Sequence, residues 1–345
     1  MPAAAPSTVY RPRHPERSDF YEIFEQHFER YLSVYDERYE PRWGPLRPVV
    51  RPAVERFLDC GRLQGGFARV RCERCGAEHL LAFSCSCRNF CPSCQAKRAA
   101  LFAEKLVNEV LERVAHQHLV LTIPRAIRGL FRRDRRLLGI LARSAYDAIR
   151  KTCEATLERQ DLRPAAVLSI QTFGSFANYH PHIHAVLAKG CFGNAGAFHP
   201  IPELNTAVIE EVFRRLVLGR LNRAKRLSQE FMQNLLSWEH SGFSARLGVA
   251  IGADDRAGLE RLVRYIVRVP VPAGTVRIAG RAVIVCTPPD PRTGATQLSL
   301  DPLPRGRTVR RTVRHASWTR NARPTRSGDP SFTRSRRRYP TAASI

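Results

Sequence analysis

Negative charge is scarce in this sequence. Asp and Glu total 31 against 56 Lys and Arg, a formal net charge of +25 over 345 residues. Self-repulsion of that size disfavours a compact chain, so an anionic partner is expected, and nucleic acid is the first candidate. A long apolar run is missing too, which argues against a membrane span. The opening residues, MPAAAPSTVYRPRHPERSDF, hold charge and proline where a secretory leader needs an apolar stretch, so a cytoplasmic protein is expected. There is no internal repeat, which excludes solenoids and propellers. What is present suffices for real cores: 43% of residues are hydrophobic, and the length suits two or three domains.

Cysteine is abundant and clustered. Of ten cysteines, seven (60, 72, 75, 85, 87, 91 and 94) fall within 35 residues. A reducing cytosol would not hold a disulfide framework there, so the cluster reads as metal binding. Cys72-Glu-Arg-Cys75 and Cys91-Pro-Ser-Cys94 form two CxxC knuckles with fifteen residues between them. Each knuckle can aim two sulfurs at one ion, and two knuckles make a closed tetrahedral four-cysteine site of structural type, for which Zn2+ is the best fit. Metal binding should then drive folding of this short segment. Cys60, Cys85 and Cys87 are spare on this reading: each alone is best read as a small core residue, with replacement of one of the four ligands or a share in a second ion as the alternatives. Arg69, Arg71, Arg74, Arg88, Lys97 and Arg98 surround the cluster and make it a candidate DNA-binding module.

Periodicity organises the rest. Residues 18 to 39 and Val50 to Leu58 read as helices, and a further helix, AKRAALFAEKLVNEVLERV, follows the cysteines. His116 to Ile123 reads as a buried strand ended by Pro124, and residues 126 to 158 as helix. Ala165 to Phe173 and His182 to Ala188 are strands, with GSFANYHP as the hairpin connection. Ile209 to Trp238 reads as one long helix, Ala245 to Ile251 as a strand, and Asp255 to Arg268 as an amphipathic helix stopped by Pro270. From Arg305 to Ile345 there are twelve Arg, no Lys and one acidic residue, Asp329, without apolar periodicity. That tail is expected to be disordered. It reads either as a nucleic-acid-binding arm or as out-of-frame sequence from a damaged gene copy. The fold class is α+β, divided as 1–59 (N-terminal helices), 60–100 (zinc-binding module), 101–304 (catalytic domain) and 305–345 (tail).

Two patterns carry chemistry. In Tyr179-His180-Pro181-His182-Ile183-His184, strand geometry puts His182 and His184 on one face and Ile183 on the other. Two such imidazoles can converge on one divalent ion that leaves positions open for a phosphate oxygen. His180, or Gln171 on the preceding strand, is the candidate third ligand; Pro181 could turn the chain between His180 and the pair. Tyr265 lies on the late helix between Arg264 and Arg268. A phenol with a pKa near 10 is a poor nucleophile at neutral pH, but a neighbouring metal and the two flanking cations would help it. Taken alone, a helical tyrosine is more often a packing residue.

The stretches GFARVRCERCGAEHLLAFSC to NFCPSC, HLVLTIP, QTFGSFANYHPHIHAVL, LLSWEHSGFS and GLERLVRYIVRVP, in that order, resemble rolling-circle transposases of the insertion-sequence ninety-one family, within the HUH endonucleases. The resemblance covers roughly residues 20 to 300. It implies an N-terminal zinc-binding domain and an HUH-type antiparallel sheet with packed helices. It implies Mg2+ or Mn2+ on His182 and His184, and Tyr265 as nucleophile towards single-stranded DNA in a bacterial cytosol, leaving a 5′-phosphotyrosine and a free 3′-OH. Two-tyrosine members carry a second tyrosine four residues earlier; here that position is Arg261, which favours a single-tyrosine cycle. Two rivals remain: a non-enzymatic zinc-ribbon DNA binder, and a histidine-triad enzyme of nucleotide hydrolysis or transfer, suggested by His180-Pro181-His182-Ile183-His184.

Overall fold

The computed structural model describes residues 14–87, 90–174, 178–272, 274–286 and 297–301. They form two compact units, divided at Arg98/Ala99 and again at Arg268/Val269.

The first unit opens with helix α1 (Asp19–Ser33), the short turns of helix α2 (Tyr35–Arg38) and α3 (Glu40–Trp43), and α4 (Val50–Leu58). Ser18 caps α1 by accepting the backbone N–H of Tyr21. The cysteine segment follows as an antiparallel hairpin, β1 (Phe67–Arg71) with β2 (Glu78–Ala82), then the start of α5 (Pro92–Lys105). Phe20, Phe24, Phe57 and Phe90 pack together with centroids 5.1–6.0 Å apart, mostly edge to face, a geometry that aligns ring edges with ring faces. Val276, Val283, Val285 and Leu300 join the same core. They come from a late three-stranded sheet, β8 (Val276–Ala279), β9 (Ala282–Cys286) and β10 (Gln297–Leu300), in the order β10-β9-β8.

The domain boundaries therefore differ from those expected. The sequence predicts one domain over 101–304 and separates 1–59 from 60–100, whereas residues 269–301 belong with the N-terminal helices and cysteine segment. The valines of the late sheet find their apolar partners there, and the backbone N–H of Ile278 donates to Asp19 at 2.7 Å. Arg88 and the tail over 305–345 lie outside the described residues.

The second unit is built on an antiparallel sheet in the order β4-β5-β3-β7, with β3 His116–Thr122, β4 Arg163–Phe173, β5 Tyr179–Phe192 and β7 Ser244–Ile251. A short β6 (Phe198–Pro200) pairs with the far end of β5. Helices α6 (Arg125–Arg133), α7 (Leu138–Leu157), α8 (Thr206–Arg223), α9 (Gln229–Ser237) and α10 (Arg256–Ile266) complete it. Two helices predicted as continuous are broken. Asp134 is extended and accepts from the N–H of Arg136, which ends α6 before α7 begins. Lys225 takes a left-handed φ of 54°, and Ser228 caps a new start at α9. Pro181 does not turn the chain: β5 continues through it at an irregularity in the β4 register between Gln171 and Phe173, where a missing N–H costs little. The middle of the GSFANYHP connection lies outside the described residues. Among the described residues no helix is long and apolar enough to cross a membrane.

Alternation gives this sheet two different faces. Leu119, Leu121, Ile183, Ala185 and Leu187 point to one side and pack on α6, α7 and α8. On the other side Val186 packs with Ala103, Leu106 and Val107 and with Leu259, Val263 and Ile266 of α10. Ile183 lies between the two histidines in sequence but is fully buried in the opposite core. Ile183→Ala should cost about 3 kcal/mol in urea unfolding, within the usual range for emptying a core position. A loss below about 1 kcal/mol would contradict this placement.

Candidate functional site

The register of the central strands collects the polar residues of the second unit on one face. His182 of β5 stands opposite Gln171 of β4 and Thr122 of β3; His184 stands opposite Ser169 and Val120. Residues directly opposite in an antiparallel pair share a face. His118, two residues before Val120, comes up on the same face. All three imidazoles touch: His118 Nε2 lies 2.8 Å from His184 Nδ1, and His182 Nε2 lies 3.0 Å from His184 Nε2.

Tautomers follow from the partners. His182 Nδ1 is 2.7 Å from the carbonyl oxygen of His180, which can only accept, so Nδ1 carries the proton and Nε2 keeps a lone pair. Two ligands at right angles, each roughly 2.1 Å from an octahedral ion, stand about 3 Å apart. The two facing Nε2 atoms have that spacing, so the donor set fits a small divalent cation. Gln171 offers a third donor. Its Nε2 gives a hydrogen bond to the carbonyl of Ile266 at 3.0 Å, and its Oε1 is buried without a hydrogen-bond partner. An unsatisfied buried oxygen is costly unless something binds it. His180 supplies its carbonyl to His182, and its ring centroid lies 5.0 Å from that of His182.

Helix α10 brings Tyr265 to this face. Asp255 caps the helix by accepting from Gly258 at 2.7 Å. At the other end, Ser169 Oγ (2.7 Å) and Gln171 Nε2 both donate to the Ile266 carbonyl, so β4 satisfies one of the orphan carbonyls of the last turn. The Tyr265 ring, 42% exposed, stands edge-on to His184 and His118, with centroids 5.5 and 5.7 Å away. Arg268 lies 4.4 Å over the Tyr265 ring, and its buried Nε has no hydrogen-bond partner. Its charge helps keep all three imidazoles neutral. Arg264 instead forms an ion pair with Glu260 on the exposed side of α10.

The cysteines assemble differently from the expected set. Cys60, Cys85, Cys91 and Cys94 hold their sulfurs within 4.8 Å of one another. Separations of 3.5 Å (Cys60–Cys94), 3.6 Å (Cys85–Cys94) and 3.8 Å (Cys60–Cys91) approach the roughly 3.8 Å between sulfurs placed tetrahedrally at about 2.3 Å from Zn2+. Backbone N–H groups of Cys85 and Cys94 point at the sulfurs of Cys60 and Cys91. Hydrogen bonding among the sulfurs, with burial, pushes the Cys85 and Cys91 thiols up, so four thiolates there require a cation. Cys72 and Cys75 are exposed at the tip of the β1–β2 hairpin, away from this cluster. The CxxC spacing marked both knuckles, but the hairpin carries the first one outward and the chain on either side of it, at Cys60 and Cys85, supplies the other two sulfurs. Cys87 is a core residue, its Sγ 3.6 Å from the Ala53 carbonyl. Of the basic residues around it, Arg69, Arg71 and Arg74 are exposed on or near the hairpin, where Arg69 already pairs with Glu78 at 2.6 Å, and Lys97 is exposed on α5 with Arg98 half-buried beside it.

Sequence reasoning missed Cys60 and Cys85 as a pair, and also His118 and Ser169. The histidine had a signal: His116 and His118 alternate on a strand as His182 and His184 do.

By fold and site, this is an α+β protein with a four-cysteine cluster in one unit and, in the other, paired histidines beside a helical tyrosine. Residues 23–123 match the family described as "Transposase zinc-binding domain", and residues 166–316 the family described as "Putative transposase". The chain is 31% identical over 158 residues to "Putative transposase y4qJ" of Sinorhizobium fredii, covering 44% of this chain and 39% of that protein. It is 30% identical over 164 residues to "Transposase for insertion sequence element IS801" of Pseudomonas savastanoi pv. phaseolicola, covering 47% and 37%. The chain thus spans about two fifths of the length of these curated relatives. No solved structure matches it. Over these stretches the chain is similar to transposases of the insertion-sequence ninety-one family.

Two expectations follow from the site. Cys60→Ser or Cys85→Ser should release the buried zinc of the purified protein, measured by metal analysis, while Cys72→Ser keeps it. The reverse pattern would overturn the assembled set. Burial foremost pushes His118 and His182 below the ordinary histidine value, and His184 down to about 3. The folded state then binds fewer protons than the unfolded one below about pH 6.5, so stability rises with pH through that window and is lost as pH falls. Without added divalent ion, Tm should drop from pH 7 to pH 5, and His184→Asn should drop less. Equal slopes would contradict it.

Proposed function

We propose that this chain is a DNA-nicking and strand-transferring transposase of HUH type, with Tyr265 as nucleophile and His182 and His184, with Gln171 or His180 as third ligand, holding Mg2+ or Mn2+. The observation that carries it is the convergence of two buried Nε2 atoms, 3.0 Å apart, beneath the edge of an exposed tyrosine ring. Gln171 is the better third ligand, because its Oε1 lacks a partner. The cation would supply Lewis-acid polarisation of a phosphate oxygen.

The chain's own residues do the rest. The β4 hydrogen bonds to Ile266 hold the end of α10 beside the imidazoles, which positions the phenol. Arg268 offers a buried N–H and a positive charge to the non-bridging oxygens of a bound phosphodiester, and stabilises charge that builds there. Tyr265 Oη attacks phosphorus in single-stranded DNA and the P–O3′ bond breaks. The phenol proton passes to solvent, which reaches the exposed Tyr265, the departing 3′ oxygen takes up a proton from solvent, and the 5′ phosphate stays on the tyrosine. The later attack of a 3′-OH on that linkage rejoins strands and regenerates the phenol, so no nucleotide triphosphate is consumed. Arg261 stands where a second tyrosine would, and one nucleophile serves each transfer in turn. In a chain of net charge +25, the zinc-bearing unit, with its exposed basic hairpin, is the candidate DNA-binding part.

The test is a denaturing gel of the full chain with end-labelled single-stranded DNA and Mn2+. A covalent adduct is expected, lost in Tyr265→Phe and in His182→Ala, while DNA binding persists in both. An adduct retained in Tyr265→Phe and mapped to histidine would favour the nucleotide-transferring alternative. Binding without any adduct would leave a non-enzymatic DNA binder.

A further inference from the structure

We infer that His118 is a positioning residue: it takes the Nδ1 side of His184 so that His184 Nε2 can face a divalent cation. The inference rests on the reading of His182 and His184 as metal ligands. Three observations carry it. First, His118 Nε2 and His184 Nδ1 are 2.8 Å apart, with ring planes within 10° of parallel and centroids 5.1 Å apart, so the two nitrogens face each other nearly in plane. Second, the register puts both side chains on one face as diagonal neighbours, because His118 opposes Val186, the next residue of β5 on the same face as His184. Third, the His118 ring also stands against Tyr265, so one imidazole touches both a metal-binding residue and the nucleophile.

Proton placement gives His118 its purpose. His182 Nε2 holds a lone pair, because its Nδ1–H donates to a carbonyl. With no cation, both remaining contacts are satisfied when His184 donates from Nε2 to His182 and His118 donates from Nε2 to His184 Nδ1. A cation between the two Nε2 atoms requires a lone pair on His184 Nε2, so its proton must sit on Nδ1 and be accepted there. His118 can accept it by carrying its own proton on Nδ1. The three rings hold three ring protons before and after, so the exchange needs no net gain or loss. A leucine at 118 would fill similar space but could accept nothing, leaving the Nδ1–H of metal-bound His184 buried and unpaired. Hydrogen-bond partners of this kind typically govern metal affinity by 10- to 100-fold.

The experiment is Mn2+ titration of the full chain by electron paramagnetic resonance, with wild type, His182→Ala, His118→Leu and His118→Gln. Histidine 15N shifts before and after Mg2+ follow the tautomers. We expect wild type to bind and His182→Ala to bind no site-specific Mn2+. His118→Leu should weaken binding 10- to 100-fold, measured at a temperature where its metal-free form is fully folded. His118→Gln, whose carbonyl oxygen can accept from Nδ1–H, should recover most of it. In wild type, Mg2+ should move the His184 proton from Nε2 to Nδ1. Wild-type affinity in His118→Leu, beside lost binding in His182→Ala, would overturn the role of His118 and leave the metal site standing. Loss in His118→Leu with no recovery by His118→Gln would also overturn it, pointing to a direct ligand. No binding by wild type would instead overturn the metal site itself. If the leucine variant does not fold, an unmoved His184 tautomer in wild type with bound Mg2+ still refutes the inference.

Discussion

Period-two alternation in β5, locked by its pairing with β3 and β4, is the constraint on which the rest of the second unit depends. Ile183, Ala185 and Leu187 must enter the apolar core against α6, α7 and α8, and that burial fixes which way the strand faces. Once it is fixed, His182 and His184 have no alternative but the opposite face. A slip of one residue would expose the core and bury both imidazoles in it, at a cost no single contact could offset. The energy that places the polar site is therefore hydrophobic and comes from the other side of the sheet.

The same register brings together residues far apart in sequence. His118 and His184 are joined through β3, and Ser169 and Gln171 reach the end of α10 through β4. Tyr265 sits where its helix ends on those two donors. The imidazoles stay neutral because they are buried and because Arg268 adds positive charge nearby, which suits them as lone-pair donors. The first unit uses a different solution. Its aromatic core is small, and four sulfurs drawn from both sides of a hairpin meet at the start of α5. A cation there would tie the hairpin base to the helix, which is how short segments gain stability they cannot draw from apolar burial.

Much of this was legible from the sequence where the signal was local. The His182/His184 pair needs only two residues and a strand, and α4 was read with its observed limits, Val50–Leu58. The alternating apolar pattern also located β3, β4, β5 and β7. What escaped depended on contacts between distant segments. No local rule says that Val186 opposes His118, so the third imidazole stayed hidden in a strand that read only as buried. The CxxC spacing was a true local signal at Cys91 and Cys94, yet Cys72 and Cys75 bend outward while Cys60 and Cys85 converge. The helix breaks at Asp134 and Lys225 turned on capping and a left-handed residue inside otherwise unbroken helical patterns. The sheet β8–β10 was passed over because its strands are four or five residues long.

The central claim is that one small cation joins the paired imidazoles at the face where Tyr265 stands. Anomalous diffraction from crystals of the full chain grown with Mn2+ measures this directly. The account predicts a manganese peak at roughly 2.2 Å from Nε2 of both His182 and His184, with Gln171 Oε1 in the same coordination sphere. Manganese found elsewhere, with His182 and His184 still hydrogen-bonded to each other, would contradict it.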